Sequence, residues 1–388
     1  MTLTAARRSR TLVGAAALAL SLAGVAGLTP APAAARALST AAPTTTFAGP
    51  GACPPAGRAL GFSDALDKRM VDGATVGGLS DLAYDRHTRV WASTVDNHAG
   101  DPARIWFFRD LRDPRVVGSP LVLRRPDGTA YDGTTADDEG LAVLPDGRFV
   151  VSSETEPSIR IFGRDGVQQA SLPVPARFAV TGSSPAGQAT ANATLEALTI
   201  TPDGRHIIAG MESALSGDVS GTGDARLHRF LIYRHTSAGW VVQKQIAYRA
   251  TTGERVPEIA AVGRHDLLVE EAAFDVATGN AVQLFVVRGY DRAADVSRVS
   301  NLSTAPRRLV VGKQLLADLV RCPTLGAPSR ETQVNPLLDN FEGMAVTSTR
   351  RSRRGVKQVG LTLVSDDNFS ATQTTRLLDL SVRYRRHR

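Results

Sequence analysis

Lysine is nearly missing from this sequence: Lys68, Lys244, Lys313 and Lys357 are its only examples. The formal net charge of +7 is therefore almost all arginine. Its densest clusters are Arg350, Arg351, Arg353 and Arg354, and the tail Arg383, Arg385, Arg386 and Arg388. Tyr384 is the one aromatic of the Phe/Trp/Tyr type among them, short of the aromatic-interleaved stripe of a nucleic-acid-binding surface, so they read as a solvated loop and tail, and no nucleic-acid partner is expected. Aromatic residues are themselves sparse, at 5% of the chain. The histidines (His87, His98, His206, His228, His235, His265 and His387) are scattered, and each reads as a turn or surface residue. No G-x-S-x-G elbow, H-E-x-x-H pair, Walker loop or βαβ G-x-G-x-x-G occurs. That removes serine-elbow hydrolases, zincins and the common nucleotide-binding classes. Beyond residue 28, no apolar run is long enough to cross a bilayer.

The N-terminus has the form of an export signal. Arg7, Arg8 and Arg10 make a basic start, residues 12–28 are uncharged, and small-x-small sites follow at Ala31-Pro32-Ala33, Ala33-Ala34-Ala35 and Ala35-Arg36-Ala37. The competing reading is a membrane anchor, but the run is short and rich in Gly and Ala. Residues 1–37 are thus expected to be a signal peptide using the Sec or, given Arg7-Arg8, the twin-arginine route. The product would be a secreted protein with no stable membrane anchor. Residues 38–57, rich in Ala, Thr, Pro and Gly, are expected to be a disordered lead-in. Cys53 and Cys322 are the two cysteines. In an exported chain an even pair reads as one disulfide, the alternative being two free buried thiols.

Glycine (35) and proline (21) are plentiful, which fits many short turns between strands. The chain also repeats itself. Glu139-Gly140-Leu141-Ala142-Val143-Leu144-Pro145-Asp146-Gly147-Arg148 matches Glu196-Ala197-Leu198-Thr199-Ile200-Thr201-Pro202-Asp203-Gly204-Arg205. Each is followed by a β-rich run and a further acid, Glu154 or Glu212. Weaker copies begin at Ser80-Asp81-Leu82, running to Asp96, at Glu258-Ile259-Ala260, running to Glu271, and at Glu342-Gly343-Met344, running to Asp366 and Asp367. Residues equidistant from a hairpin turn face each other, and the midpoints fall at Asp146-Gly147, Gly204, Arg264-His265 (next to Gly263) and Arg354, beside Gly355. Each acid pair should therefore sit at the open end of its own hairpin.

A unit of about 60 residues holds four short strands, one propeller blade. The expectation is an all-β, six-bladed propeller of four-stranded blades, a single domain over residues 69–383. First strands line a propeller's central channel and all run the same way, so acids at their starts converge on one mouth. Glu139, Glu196, Glu258 and Glu342 would come from first strands, and Glu154, Glu212, Glu271, Asp366 and Asp367 from the ends of second strands. Like charges face to face are destabilising, and oxygen ligands without a Cys or His cluster point to Ca²⁺. The bland alternative is that these acids cap backbone amides or pair with arginines such as Arg160 or Arg226.

Several of these segments resemble the family described as esterase-like activity of phytase. They are Gly78-Leu79-Ser80, Asp138-Glu139-Gly140-Leu141-Ala142, Leu195-Glu196-Ala197-Leu198, Val256-Pro257-Glu258-Ile259, Leu267-Leu268-Val269-Glu270-Glu271, Asn340-Phe341-Glu342-Gly343-Met344 and Leu363-Val364-Ser365-Asp366-Asp367-Asn368-Phe369. The resemblance implies kinship with calcium-dependent propeller phytases, in which metal-activated water replaces a protein nucleophile. It departs at Ala272, where an arginine often follows the glutamate in such sequences. The expected function is a secreted, monomeric, calcium-dependent hydrolase of a small-molecule phosphate or carboxylic ester, with Glu139 and Glu196 essential. Arg104, Arg226 and Arg229 are candidates for a cationic rim. A lactonase-type propeller and a non-enzymatic, metal-stabilised binding propeller are the alternatives.

Overall fold

The second of the chain's two units is Pro43–Arg388. The computed structural model describes residues 51–385, except 99, 183–186 and 354, all in the second unit. The signal peptide expected over residues 1–37, and residues 38–50 of the lead-in, lie outside the described residues.

Among the described residues there are strands and short 3₁₀ turns but no α-helix. Blade 1 comprises Ala83–Asp85, Val90–Thr94 and Arg104–Arg109, with Arg115–Val116 and Leu121–Val122 both paired to the last. Blade 2 is Asp138–Val143, Phe149–Ser153, Ser158–Phe162 and Gln168–Ser171. Blade 3 is Leu195–Ile200, His206–Met211, Leu227–Thr236 and Gly239–Arg249. Blade 4 is Arg255–Val262, Asp266–Asp275, Gly279–Arg288 and Lys313–Asp318. Blade 5 is Phe341–Arg351, Val356–Ser365, Leu377–Arg385 and, from the other end of the chain, Gly57–Ser63, edged by Ala52–Cys53.

The turn signals sit where the repeat predicts them. Gly147 and Gly204 take φ of +90° and +69°, conformations a side chain resists, so each hairpin reverses at its Asp-Gly. Both faces of each sheet are covered by neighbouring blades, which explains why strands such as His206–Met211 are apolar almost throughout instead of alternating. Five large apolar cores lie between successive sheets. Phe149 and Ile105 pack between blades 1 and 2, Leu198 and Ile161 between 2 and 3, and Phe230 and Leu267 between 3 and 4. Leu268 and Leu361 pack between blades 4 and 5, and Trp106 and Val364 close the ring between 5 and 1.

The propeller has five blades, not the six expected. The long step between Glu258 and Glu342 carries no extra sheet. It is used by the long strands of blade 4, by the 3₁₀ turns Tyr290–Arg292, Leu302–Thr304 and Arg307–Leu309, and by residues 322–340. Residues 57–63, which lie outside the domain expected over residues 69–383, complete blade 5, with Gly57 opposite Val382. Residues 51–57 are likewise not a disordered lead-in: Cys53 pairs with Gly57 and is fully buried. The disulfide Cys53–Cys322 joins this edge to the segment after blade 4 across a sequence separation of 269 residues. Among the described residues no helix is long and apolar enough to cross a membrane.

Candidate metal centre at the channel mouth

The first strands of blades 2 to 5 each begin with a β-bulge against their second strand. In blades 3 and 5 the extra residue is the acid itself, Glu196 and Glu342. A bulge re-aims a side chain and shifts the facing set beyond it by one residue. Here it turns the leading acids toward one another at a single mouth. The carboxylate oxygens of Glu139, Glu154 and Glu196 lie within 4.8 Å of one another, and those of Asp96, Asp137 and Glu139 do the same. Asp366 continues the row through a hydrogen bond to Asp96.

On the other side of the ring stands Arg255, at the start of blade 4. Its Nη1 donates to Glu196 Oε1 at 3.2 Å and to Glu212 Oε1 at 3.1 Å. Its Nη2 donates to Glu342 Oε1 at 2.7 Å and to Asn340 Oδ1 at 2.9 Å. The guanidinium thus ties blade 3 to blade 5 through blade 4.

Burial is the largest influence on the carboxyls here, and mutual repulsion adds to it. Glu154 is pushed up to about 8 by burial, with Glu212 nearby adding to the rise. Asp96 is raised to about 7 by burial and by Asp137. Glu139 and Glu196 are raised well above the usual carboxylate range, first by burial and then by neighbouring acids. For Glu212 burial also wins, although Arg255 pulls the other way. Carboxyls in this state share protons unless a cation is supplied.

The expected residues divide as follows. Glu139, Glu154, Glu196, Glu212, Glu342 and Asp366 all reach the mouth. Glu258 lies deeper and hydrogen-bonds to Asp81, which enters from blade 1. Two expectations are corrected. The bulge in blade 4 makes Glu258 the ladder partner of Glu270, not Glu271. Glu271 therefore faces away and is held by Lys313, the Tyr248 hydroxyl and the Thr251 amide. Asp367 is also turned from the ring, accepting from the Gly78 amide at 2.8 Å and pairing with Lys68.

Glu270, Asp137, Asp81 and Arg255 are the participants the repeat pattern does not single out. Glu270 is fully buried, neither of its oxygens has a hydrogen-bond partner, and burial raises it to about 8. Its signal was the second acid of Glu270-Glu271, and only the bulge decides between the two. Arg160 and Arg226, weighed as counter-charges, pair instead with Glu156 and Asp224. Arg229 is spent on a fully buried bridge to Asp218, and Arg104 pairs with Asp101. Ser152 accepts from the Gly140 amide at 2.9 Å, a backbone-bracing role.

The donor set fits a hard divalent cation. Ca²⁺ binds oxygens at 2.3–2.6 Å, so ligands of one ion are separated by at most about 5 Å, and Glu139, Glu154 and Glu196 lie within that span of one another. The orphaned oxygens of buried Glu270 add a demand that no protein donor meets. A cavity of about 690 Å³ lies elsewhere. It lies toward the far ends of the first strands, lined by Tyr84, Trp91, Pro145, Pro202 and Met344, with Asp81 as its one acid.

No curated protein matches the chain. Among solved structures, a protein of unknown function from Dyadobacter fermentans is similar at 8% identity, covering 84% of this chain and 100% of that one with a TM-score of 0.41. A gluconolactonase from Xanthomonas campestris is similar at 13% identity, 82% and 88% coverage and a TM-score of 0.35. Hydrazine synthase from Kuenenia stuttgartiensis is similar at 11% identity, 77% and 81% coverage and a TM-score of 0.36. The family model described as esterase-like activity of phytase matches residues 74–369, the greater part of the chain and all the acids of the mouth. The chain belongs to this phytase-like family.

Proposed function

We propose that this protein is an exported, calcium-dependent ester hydrolase acting at the acidic mouth of its propeller on a small phosphate or carboxylic ester. The observation that carries the reading is the convergence of Glu139, Glu154 and Glu196, with Asp96 and Asp137 adjoining, where among the described residues the one ion pair from a lysine or arginine is that of Arg255 with Glu196. Membership of the phytase-like family supports the ester class. A bound divalent cation would supply Lewis-acid polarisation of an ester oxygen.

The chain's own residues prepare that site. Glu139 and Glu196 would hold the cation from adjacent blades, and Ser80 donates to Glu139 to fix its orientation. Glu154 is held in turn by the Thr194 amide. Asp96 and Asp137 are only partly buried and form the open side from which an ester approaches. Arg255, with its side chain 24% exposed, places positive charge at the rim of the same opening. The disulfide and the leader-like N-terminus support an extracellular setting.

A panel of phosphate and carboxylic esters, assayed with Ca²⁺ and with chelator, tests the proposal. Hydrolysis that depends on added Ca²⁺ is the expected result. No turnover of any ester by the calcium-loaded protein would favour a binding role.

A further inference from the structure

Arg255 and the acids divide the mouth unequally. Three carboxylates and one amide, Glu196, Glu212, Glu342 and Asn340, receive the guanidinium. Among the described residues, no lysine or arginine pairs with Asp96, Asp137, Glu139, Glu154 or Asp366. The ring has one cation built in on its blade 3–5 side and a deficit on its blade 1–2 side. Glu196 stands on the border, bonded to Arg255 and grouped with Glu139 and Glu154.

We propose that Arg255 is a resident cation that fills one of two cation positions in the ring, confining the external divalent ion to the half formed by Asp96, Asp137, Glu139 and Glu154 with the shared Glu196, and thereby setting the metal stoichiometry. This rests on the metal-site reading above.

The physical argument is one of exclusion. A guanidinium has its donors in a rigid planar fork and stays charged at all accessible pH. Once its four acceptors are engaged, a second divalent ion at that point would have to displace a hydrogen-bonded charge and then sit against it. The unengaged half faces no such barrier, and its carboxyls are held close by the fold whether a cation is present or not. Glu270, deeper on the arginine side, is close enough for Arg255 to stabilise its charge, yet its oxygens accept no hydrogen bond. Removing the guanidinium would therefore leave Glu212, Glu342 and Glu270, with Glu196 shared, as a second, oxygen-rich cation position.

Calcium binding to the full-length mature protein, counted by equilibrium dialysis and followed by calorimetry, tests this. Arg255→Met should bind one more Ca²⁺ per chain than wild type, and Arg255→Lys should keep the wild-type count. Equal counts for wild type and Arg255→Met would overturn the proposal. Should Arg255→Met fail to fold, two single-charge variants decide instead. Glu139→Gln should weaken wild-type Ca²⁺ binding by more than 100-fold, and Glu212→Gln by less than threefold. Equal losses would overturn the division of the ring while leaving the metal site intact. A wild type that binds no divalent ion would overturn the metal reading itself.

Discussion

Arg255 and Ala272 are ladder partners at the open end of blade 4, and from that position the Arg255 guanidinium reaches Glu196, Glu212 and Glu342. Ala272 is where the resembling sequences often place arginine. The positive charge at this mouth thus comes from the strand opposite. It enters a ring whose acids come from all five blades, and among the described residues no lysine or arginine pairs with Asp96, Asp137, Glu139, Glu154 or Asp366.

Metal removal should therefore destabilise the protein. Chelation is expected to lower the melting temperature, and Ca²⁺ to restore it better than Mg²⁺, because a cage of many carboxylates suits the larger ion. Thermal unfolding followed by circular dichroism checks this. Identical curves with chelator, Ca²⁺ and Mg²⁺ would remove structural calcium from consideration.

Activity should follow the acids. Glu139→Gln and Glu196→Gln each keep side-chain size and remove a ligand charge, and each should reduce ester hydrolysis at least 100-fold with the fold retained. Ser152→Ala should cost about 1 kcal/mol of stability through the lost Gly140 amide bond. Its activity should stay near wild type. A dead serine variant beside active glutamine variants would instead indicate covalent catalysis.

The pH dependence of the chelated protein should be inverted relative to most proteins. Glu154 and Glu270 rise from 4.5 to about 8 in the folded state, chiefly by burial. Between those values the folded state binds more protons than the unfolded one, so stability is lost as pH rises. The metal-free melting temperature should fall from pH 5.5 to pH 8.5. Added Ca²⁺, which prefers the ionised carboxylates, should flatten or reverse that slope. A chelated protein most stable at pH 8.5 would contradict the burial argument.

The disulfide should staple the ring. Closing a loop of 269 residues predicts a stabilisation of roughly 5–6 kcal/mol as an upper figure from chain entropy. Cys53→Ser with Cys322→Ser should lower the denaturant midpoint without changing the blade pairing. Two free thiols by mass spectrometry of secreted material would refute the bridge.

The repeat Glu139 to Arg148 against Glu196 to Arg205 was enough to announce hairpins, their Asp-Gly turns and acids at the open ends, because local turn chemistry and strand spacing are properties of contiguous residues. The same local logic placed Glu139, Glu154, Glu196, Glu212, Glu342 and Asp366 at one mouth. It failed at Glu271, since a single bulged residue reverses which neighbour faces the channel, and bulges leave no mark in an apolar alternation this weak. Asp367 was misplaced for a related reason: its partners, Gly78 and Lys68, come from the opposite end of the chain.

The sequence by itself determined an all-β propeller, the direction of its first strands and the concentration of acid at one end. Only the tertiary structure decided that the ring closes at five blades, with Gly57–Ser63 completing the last sheet. It also decided that Arg255 balances one half of the acids. Both depend on which distant segments meet, and that is set by closure of the ring and packing between blades, not by any pattern within a single strand.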